Sequence, residues 1–426
     1  MALGQRTRQQ GAGQGAEPPL EELPPFGRKL QRFGVAIFDN PRDMSSGWAC
    51  EAEGTPRYFT SVNDLPTSTV WCTTLDWDEY QHRGKQLHHL RRNDYLRSSL
   101  GAIATDIGIR VDGEFAETGC LRLAQVVGNA MQLAATVYGW QDPASDIRED
   151  TLHEDIRRTI VQAPKPHQHV RGALLGAFQG HSSPDWAPVY EADCVAITLR
   201  YNRLDYAAKL MNCTVPDEGW TRVTEERAAD LSLDRLLDPA CPSMVEATIE
   251  FTGSDPDVAT LIAFGSQPGK RAGLRKWVSQ PELLWISRFA RIHVNSALIC
   301  RASRTLPDAV KLPPPMLKDP TFSLSISAGL VAESHVHALS TLTYNRQAKH
   351  QVASAWAVWL RALDRSLCFS LAHKAMQAGF TPLNYGSGSV RVRVPRTRLG
   401  ELLEFASENG IAYPAFNPIF EEHGVV

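Results

Sequence analysis

Two carboxylates one residue apart, in Asp76-Trp77-Asp78, follow a β-prone run at 69–75. Carboxylates at a strand end hold Mg²⁺ or Mn²⁺ in enzymes of nucleic-acid synthesis, because a hard cation takes oxygen ligands from a rigid edge. The same residues have a local use. Asp76 and Glu79 fit the Asp-x-x-Glu pattern of a capping box, and acidic residues in a first turn suit the positive end of the helix dipole. A metal reading of Asp76 and Asp78 needs a third ligand, and spacing selects none of Asp106, Asp112 and Asp193.

His335-Val336-His337 follows a run at 322–331 that reads as a strand. In nucleic-acid nickases such a pair holds a metal while a tyrosine attacks the phosphodiester, and Tyr344 and Tyr385 lie downstream. Two histidines on one strand face also serve as plain surface groups. His167-Gln168-His169 sits in a proline-bounded loop. Gly265-Ser266-Gln267-Pro268-Gly269-Lys270-Arg271 is one residue short of a phosphate loop. Arg271 stands where the hydroxyl should be, and Pro268 removes a backbone N–H from the cradle, so nucleotide hydrolysis is excluded there. Gly386-Ser387-Gly388-Ser389 lacks the spacing of a nucleophile elbow and reads as a turn.

The basic residues left as candidate anion or nucleic-acid contacts are Arg6 and Arg8, then Lys270, Arg271, Arg275 and Lys276, then Arg391 and Arg393. The middle group reads more readily as a solvated helix face than as an anion site. No catalytic residue and no cofactor is assigned.

The elements that must position these residues follow from periodicity. Phe33 to Phe38 is a short apolar run closed by Asp39-Asn40-Pro41 turn chemistry. The stretch 76–100 is charged and helical. Leu121, Leu123, Val126, Val127, Met131 and Leu133 predict a helix over 117–137, stopped by Gly139. Residues 194–201 and 245–251 alternate as strands, and a proline-rich linker spans 312–320. The strongest helix is predicted over 352–379. Trp356, Trp359, Leu360, Leu363, Leu367 and Leu371 recur at threes and fours, and Arg361, Asp364 and Arg365 fall mostly off that face. Val390, Val392 and Val394 alternate with Arg391 and Arg393 in a half-buried strand, and a short helix over 397–409 closes the chain.

The reading is a mixed α+β, helix-rich fold: a compact multi-lobed body behind a disordered arm at 1–26, with lobes at 27–162, 163–312 and 313–426. The arm is rich in Gln, Gly, Glu and Pro and has almost nothing to bury. The 426 residues are 43% hydrophobic and 21% charged, with a net charge of −3 and a pI near 6.5. That balance gives no overall basic footprint for nucleic acid. Eight cysteines without a C-x-x-C pair read as reduced, buried thiols. With no secretory h-region and no long apolar run, the expected compartment is cytoplasmic, or a virion.

Arg outnumbers Lys, and Arg suits interfaces. Together with the arm and the missing cofactor loop, this leads to a first expectation. The chain is a self-assembling, coat- or capsid-like structural subunit, a large homo-oligomer that encloses nucleic acid and uses no membrane. The first alternative is a metal-dependent nucleic-acid enzyme, primase-, polymerase- or nickase-like, built on Asp76 and Asp78. The second is a non-catalytic replication or adaptor protein.

Overall fold

The computed structural model describes residues 32–141, 146–179, 193–217, 219–224, 227, 231–251, 274–313, 316, 326–345 and 350–411. Residues from 31 onward cluster into one compact unit. The fold is mixed α+β, as the periodicities predict. The arm at 1–26 and the Gly265–Arg271 loop lie outside the described residues, as does most of the 312–320 linker.

The first sheet is built from β1 (Arg32–Phe38), β2 (Gly47–Glu51), β3 (Arg57–Phe59), β4 (Thr69–Thr73) and β5 (Leu90–Arg91), in the order β3-β2-β1-β4-β5. β1 runs antiparallel to β2 and parallel to β4. Val35 and Ile37 enter one apolar cluster and Ala36 and Phe38 another, so β1 is covered on both faces. That explains its unbroken apolar run, since alternation marks only half-buried strands. Between β4 and β5 the chain forms α1 (Trp77–His82), and α2 (Leu100–Asp106) follows the sheet. The predicted helix over 76–100 is therefore corrected to one short helix, a strand and irregular chain. Gly84 and the turns around Asn93 interrupt the charged pattern.

α3 (Ala116–Tyr138) packs on β1 and β2. Leu123, Val127 and Met131 are fully buried beneath it. Gly139 stops it in the left-handed conformation, φ 68°, as the sequence predicts. α4 (Leu152–Thr159) and α5 (Arg171–Gln179) lead to β6 (Cys194–Arg200) and α6 (Arg203–Met211).

Two small strands, β7 (Thr214–Pro216) and β8 (Trp220–Val223), and α7 (Leu233–Leu237) precede a four-stranded antiparallel sheet, β10-β9-β11-β8. Its remaining strands are β9 (Ser243–Phe251), β10 (Leu274–Ser279) and β11 (Ala290–Cys300), with α8 (Gln280–Ile286) between the last two. β12 (Ser303–Thr305) pairs with β7.

The predicted strand at 322–331 is corrected: residues 326–331 open α9 (Ile326–Leu339). Nearly every side chain of α9 is buried, so neither a helical nor a strand period shows in its hydrophobicity. β13 (Thr343–Asn345) and β14 (His350–Val352) form a hairpin ahead of α10 (Ala355–Gln377). Ser354 Oγ caps α10 by accepting from Ala357 N at 3.0 Å. Gly379 beyond its end is left-handed, φ 81°. β15 (Thr381–Gly386) and β16 (Ser389–Pro395) form a hairpin, and β16 pairs with β6 in the sheet β15-β16-β6. Val390, Val392 and Val394 are buried while Arg391 is exposed, which is the predicted alternation. α11 (Leu399–Glu408) completes the described fold.

Candidate functional site: an arginine-lined cavity

The sequence candidates do not converge. Asp76 Oδ1 accepts from Glu79 N at 2.8 Å and caps α1, while Oδ2 faces Arg42 Nε at 3.2 Å. Asp78 is exposed. Asp106 pairs with Arg203, and Asp112 pairs with Arg110 at 3.4 Å. Among the described residues no three His, Cys, Asp or Glu side chains gather as a metal group.

His335 and His337 stand on a helix, not on a strand face, and their rings have separate partners. His335 Nδ1 meets Tyr138 Oη and Nε2 meets the Val310 carbonyl, both at 2.8 Å. His337 Nε2 meets Arg97 Nη1 at 3.1 Å. His167 and His169 stack on each other at 6.0 Å in a short helical turn. Arg275 and Lys276 belong to strand β10, which corrects the helix-face reading. The Nζ of half-buried Lys276 is enclosed near Glu282 and Arg365, and burial brings the ammonium down to about 8. Arg6, Arg8, Lys270 and Arg271 lie outside the described residues. Arg391 points out from the last sheet and Arg393 is half-buried.

What the fold does bring together is a set of arginines from four separate segments. Arg97, Arg200, Arg203, Arg361 and Arg365 line one cavity of about 180 Å³. The floor between them is partly apolar, from Ala207, Leu210 and Leu360. β6 ends at Arg200, and α6 starts three residues later at Arg203. α9 approaches α6 so closely that a Cβ on Gly329 would stand 2.7 Å from Arg203 Cβ. One turn further along α9, Glu333 is thereby set against Arg203. Both Glu333 oxygens are engaged, one by Arg203 Nη1 and the other by Arg200 Nη1 at 3.4 Å. Arg203 also holds Asp106 through Nη2. Burial alone would raise the Glu333 carboxyl, but Arg203, Arg200 and Arg97 outweigh it and hold the group below its ordinary value. Burial works against the Arg203 charge as well, and Glu333 and Asp106 reverse that.

Arg361, Asp364 and Arg365 lie on α10 in sequence positions that read as off its apolar face. Arg365 is in fact 3% exposed. Its Nε lies 3.6 Å from Glu282, a fully buried carboxylate on α8. Asp364 faces the β15–β16 turn. Its Oδ2 accepts from Ser387 N at 2.7 Å and its Oδ1 from Gly388 N at 2.8 Å. Tyr206 Oη donates to the same Oδ1 at 2.9 Å. The turn needs left-handed backbone at both residues, φ 52° at Ser387 and 68° at Gly388. A Cβ at Gly388 would also press on the Tyr206 ring at 3.0 Å. The Tyr206 ring lies parallel to Tyr201, with centroids 5.2 Å apart.

Two guanidinium groups of the cavity are not matched in this way. Arg97 sits in the left-handed region, φ 67°, a conformation that a non-glycine residue keeps only when its surroundings fix it. Its Nε is buried without a hydrogen-bond partner among the described residues. Arg361 rests over the Phe178 ring, 4.4 Å from its centroid. Burial lowers both arginines; Glu333, Asp364 and Asp94 offset this only in part at Arg97, and Asp364 only in part at Arg361. His337 beside them is held neutral by burial and by Arg97, His153 and Arg361. The cavity is thus an electropositive, partly apolar recess with an aromatic pair beside it. Such a recess can take an anion and stack a flat ring.

Sequence reasoning missed this site because its members span residues 97 to 388 and share no local motif. The one signal was the charged trio Arg361, Asp364 and Arg365 inside an otherwise apolar helix.

The fold is therefore a mixed α+β body with an arginine-lined recess. No family model matches the chain, and no curated protein matches it. Among solved structures it is similar to Phi29 DNA polymerase complexed with primer-template DNA, at 10% identity and a TM-score of 0.44, covering 85% of this chain and 80% of that one. It is similar in the same measure to Phi29 DNA polymerase complexed with single-stranded DNA, TM-score 0.44. It is also similar to an orthorhombic crystal form of that polymerase, TM-score 0.41. A likeness at this level transfers no residue's role. These three structures are of a polymerase and not of a coat protein, and the expectation of a self-assembling, capsid-like subunit is corrected. The physical reason lies in the arginines. Their abundance suggested subunit interfaces, yet five of them converge inside a single chain. Among the described residues no helix is long and apolar enough to cross a membrane.

Proposed function

We propose that this chain is a nucleic-acid-associated protein whose arginine-lined cavity receives phosphate. The observation that carries the reading is the pair Arg97 and Arg361. Both face the cavity, and neither has a carboxylate ion pair among the described residues. A guanidinium withdrawn from water needs an anion or a dense set of acceptors, and its planar fork matches phosphate oxygens. The parallel Tyr201–Tyr206 pair supports nucleic acid over a simple anion. Arginine beside aromatic faces is the combination that holds single strands, with charge for the backbone and rings for the bases. The reading stands on this chemistry and not on the polymerase likeness.

The test is fluorescence anisotropy of the full chain with a labelled single-stranded oligonucleotide over a range of salt. Affinity should fall with salt, and Arg361→Ala should weaken binding and make the log–log slope shallower by about 0.7. No binding at low salt, or the same salt slope in wild type and variant, would overturn the proposal.

A further inference from the structure

We infer that the cavity takes a terminal phosphate monoester, on a nucleotide or at a strand end, and holds it without a divalent cation. The inference rests on the phosphate-binding reading above and narrows it in two respects.

The first respect is the number of acceptor oxygens on the ligand. Arg203 is matched by Glu333 and Asp106, and Arg365 by Glu282. Arg200 shares Glu333. Arg97 and Arg361 remain as two guanidinium forks facing the recess without an ion pair among the described residues, although Asp364 in the same lining offsets part of their charge. A phosphodiester offers two terminal oxygens to a guanidinium fork, whereas a phosphate monoester offers three strong acceptors. The monoester's third terminal oxygen therefore suits two converging guanidinium forks better than the diester's two. Size agrees. A recess of about 180 Å³ with an apolar floor admits one end group, not a strand running through it.

The second respect is the metal. Polynucleotide phosphates are often held through Mg²⁺, which needs free carboxylate or phosphate oxygens. The two carboxylates lining this cavity have none to give. Both Glu333 oxygens face guanidinium groups. Both Asp364 oxygens accept backbone N–H groups of the turn, and Oδ1 also accepts from Tyr206. Recruiting either to a cation would break several charge-assisted hydrogen bonds at once. The arginines alone then hold the ligand.

The decisive experiment compares one single-stranded oligonucleotide in three forms: with a 5′-phosphate, with a 3′-phosphate and with neither. Adenosine 5′-monophosphate and adenosine serve as the small-molecule pair. Each is titrated in EDTA and in Mg²⁺ against the full chain, Arg361→Gln and Arg97→Gln, with circular dichroism confirming that each variant is folded. The expected result is at least about tenfold tighter binding of a phosphorylated probe than of its unphosphorylated partner, equal in EDTA and in Mg²⁺. Either variant should abolish that preference. A preference confined to the oligonucleotide would identify a strand end as the source, and one shared with the monophosphate would identify the nucleotide. Equal binding of phosphorylated and unphosphorylated oligonucleotides would overturn the inference while leaving nucleic-acid association standing. So would a preference that appears only with Mg²⁺, or one that both folded variants retain. If no oligonucleotide binds but the monophosphate does, the terminal-phosphate site stands and the nucleic-acid reading falls.

Discussion

Asp364, on α10, accepts the backbone N–H of Gly388 at 2.8 Å and so fastens the tip of the β15–β16 hairpin to the long helix. The hairpin belongs to the same sheet as β6, whose end delivers Arg200. One carboxylate thereby fixes the distance between two walls of the cavity.

Removing that carboxylate should leave two turn N–H groups and the Tyr206 hydroxyl short of an acceptor. Asp364→Ala is expected to cost about 1–3 kcal/mol, and Asp364→Asn, which keeps one acceptor oxygen, clearly less. Urea unfolding midpoints at matched m-values measure both. Equal losses in the two variants would mean that charge and not hydrogen bonding holds the turn.

Gly329→Ala tests the close approach of α9 to α6. The added methyl would meet Arg203 Cβ at 2.7 Å, and backbone-proximal atoms of two packed helices have little room to yield. The expected cost is about 1–3 kcal/mol, with a lowered melting temperature. A neutral substitution would show that the helices slide apart freely.

Asp155 gives a pH prediction. Burial raises its carboxyl from the ordinary 3.8 to about 6, although the Arg148 and Glu149 N–H groups and the Tyr95 hydroxyl oppose the shift. Between these values the folded chain keeps a proton that the unfolded chain has released. This group's contribution therefore favours folding at low pH and weakens as pH rises through the window, by about 2–3 kcal/mol in all. Asp155→Asn should flatten that part of the stability–pH profile. A variant profile parallel to wild type across pH 4–6 would refute the assignment.

Leu360 and Leu363 on α10 should differ in cost. Leu360 is 1% exposed, whereas Leu363 is only half-buried. Leu360→Ala is expected to cost about 2–5 kcal/mol and Leu363→Ala distinctly less, read from unfolding midpoints. A reversed order would place the buried face of the helix on its other side.

This last pair shows how far the sequence could be read. Period-three-and-four spacing located α10 and α3 and their glycine stops, because one apolar stripe repeats over many turns in each. It placed Leu363 and Leu367 on the buried face and Arg365 off it, and here the structure differs. Arg365 is buried through its partner Glu282, which lies 83 positions earlier in the chain, and no local pattern reports so distant a partner. α9 was hidden for a related reason. It is buried nearly all round, so no polar face marks its period. The Asp-x-x-Glu pattern at Asp76 was legible because a cap is local chemistry. The arginine cavity was not legible, because it is made by the meeting of the segment around Arg97, β6, α6, α9, α10 and one hairpin turn.

The most direct measurement is the unfolding midpoint of the full chain as inorganic phosphate replaces chloride at constant ionic strength. Phosphate stabilises proteins generally by exclusion from their surface, so the comparison with a variant decides. If the cavity binds phosphate, the wild-type midpoint should rise by simple one-site linkage, equivalent to about 2.7 kcal/mol at a hundredfold excess over Kd. Arg361→Ala and Arg97→Ala should retain only the small, non-saturating rise. Parallel curves for wild type and both variants would contradict the account.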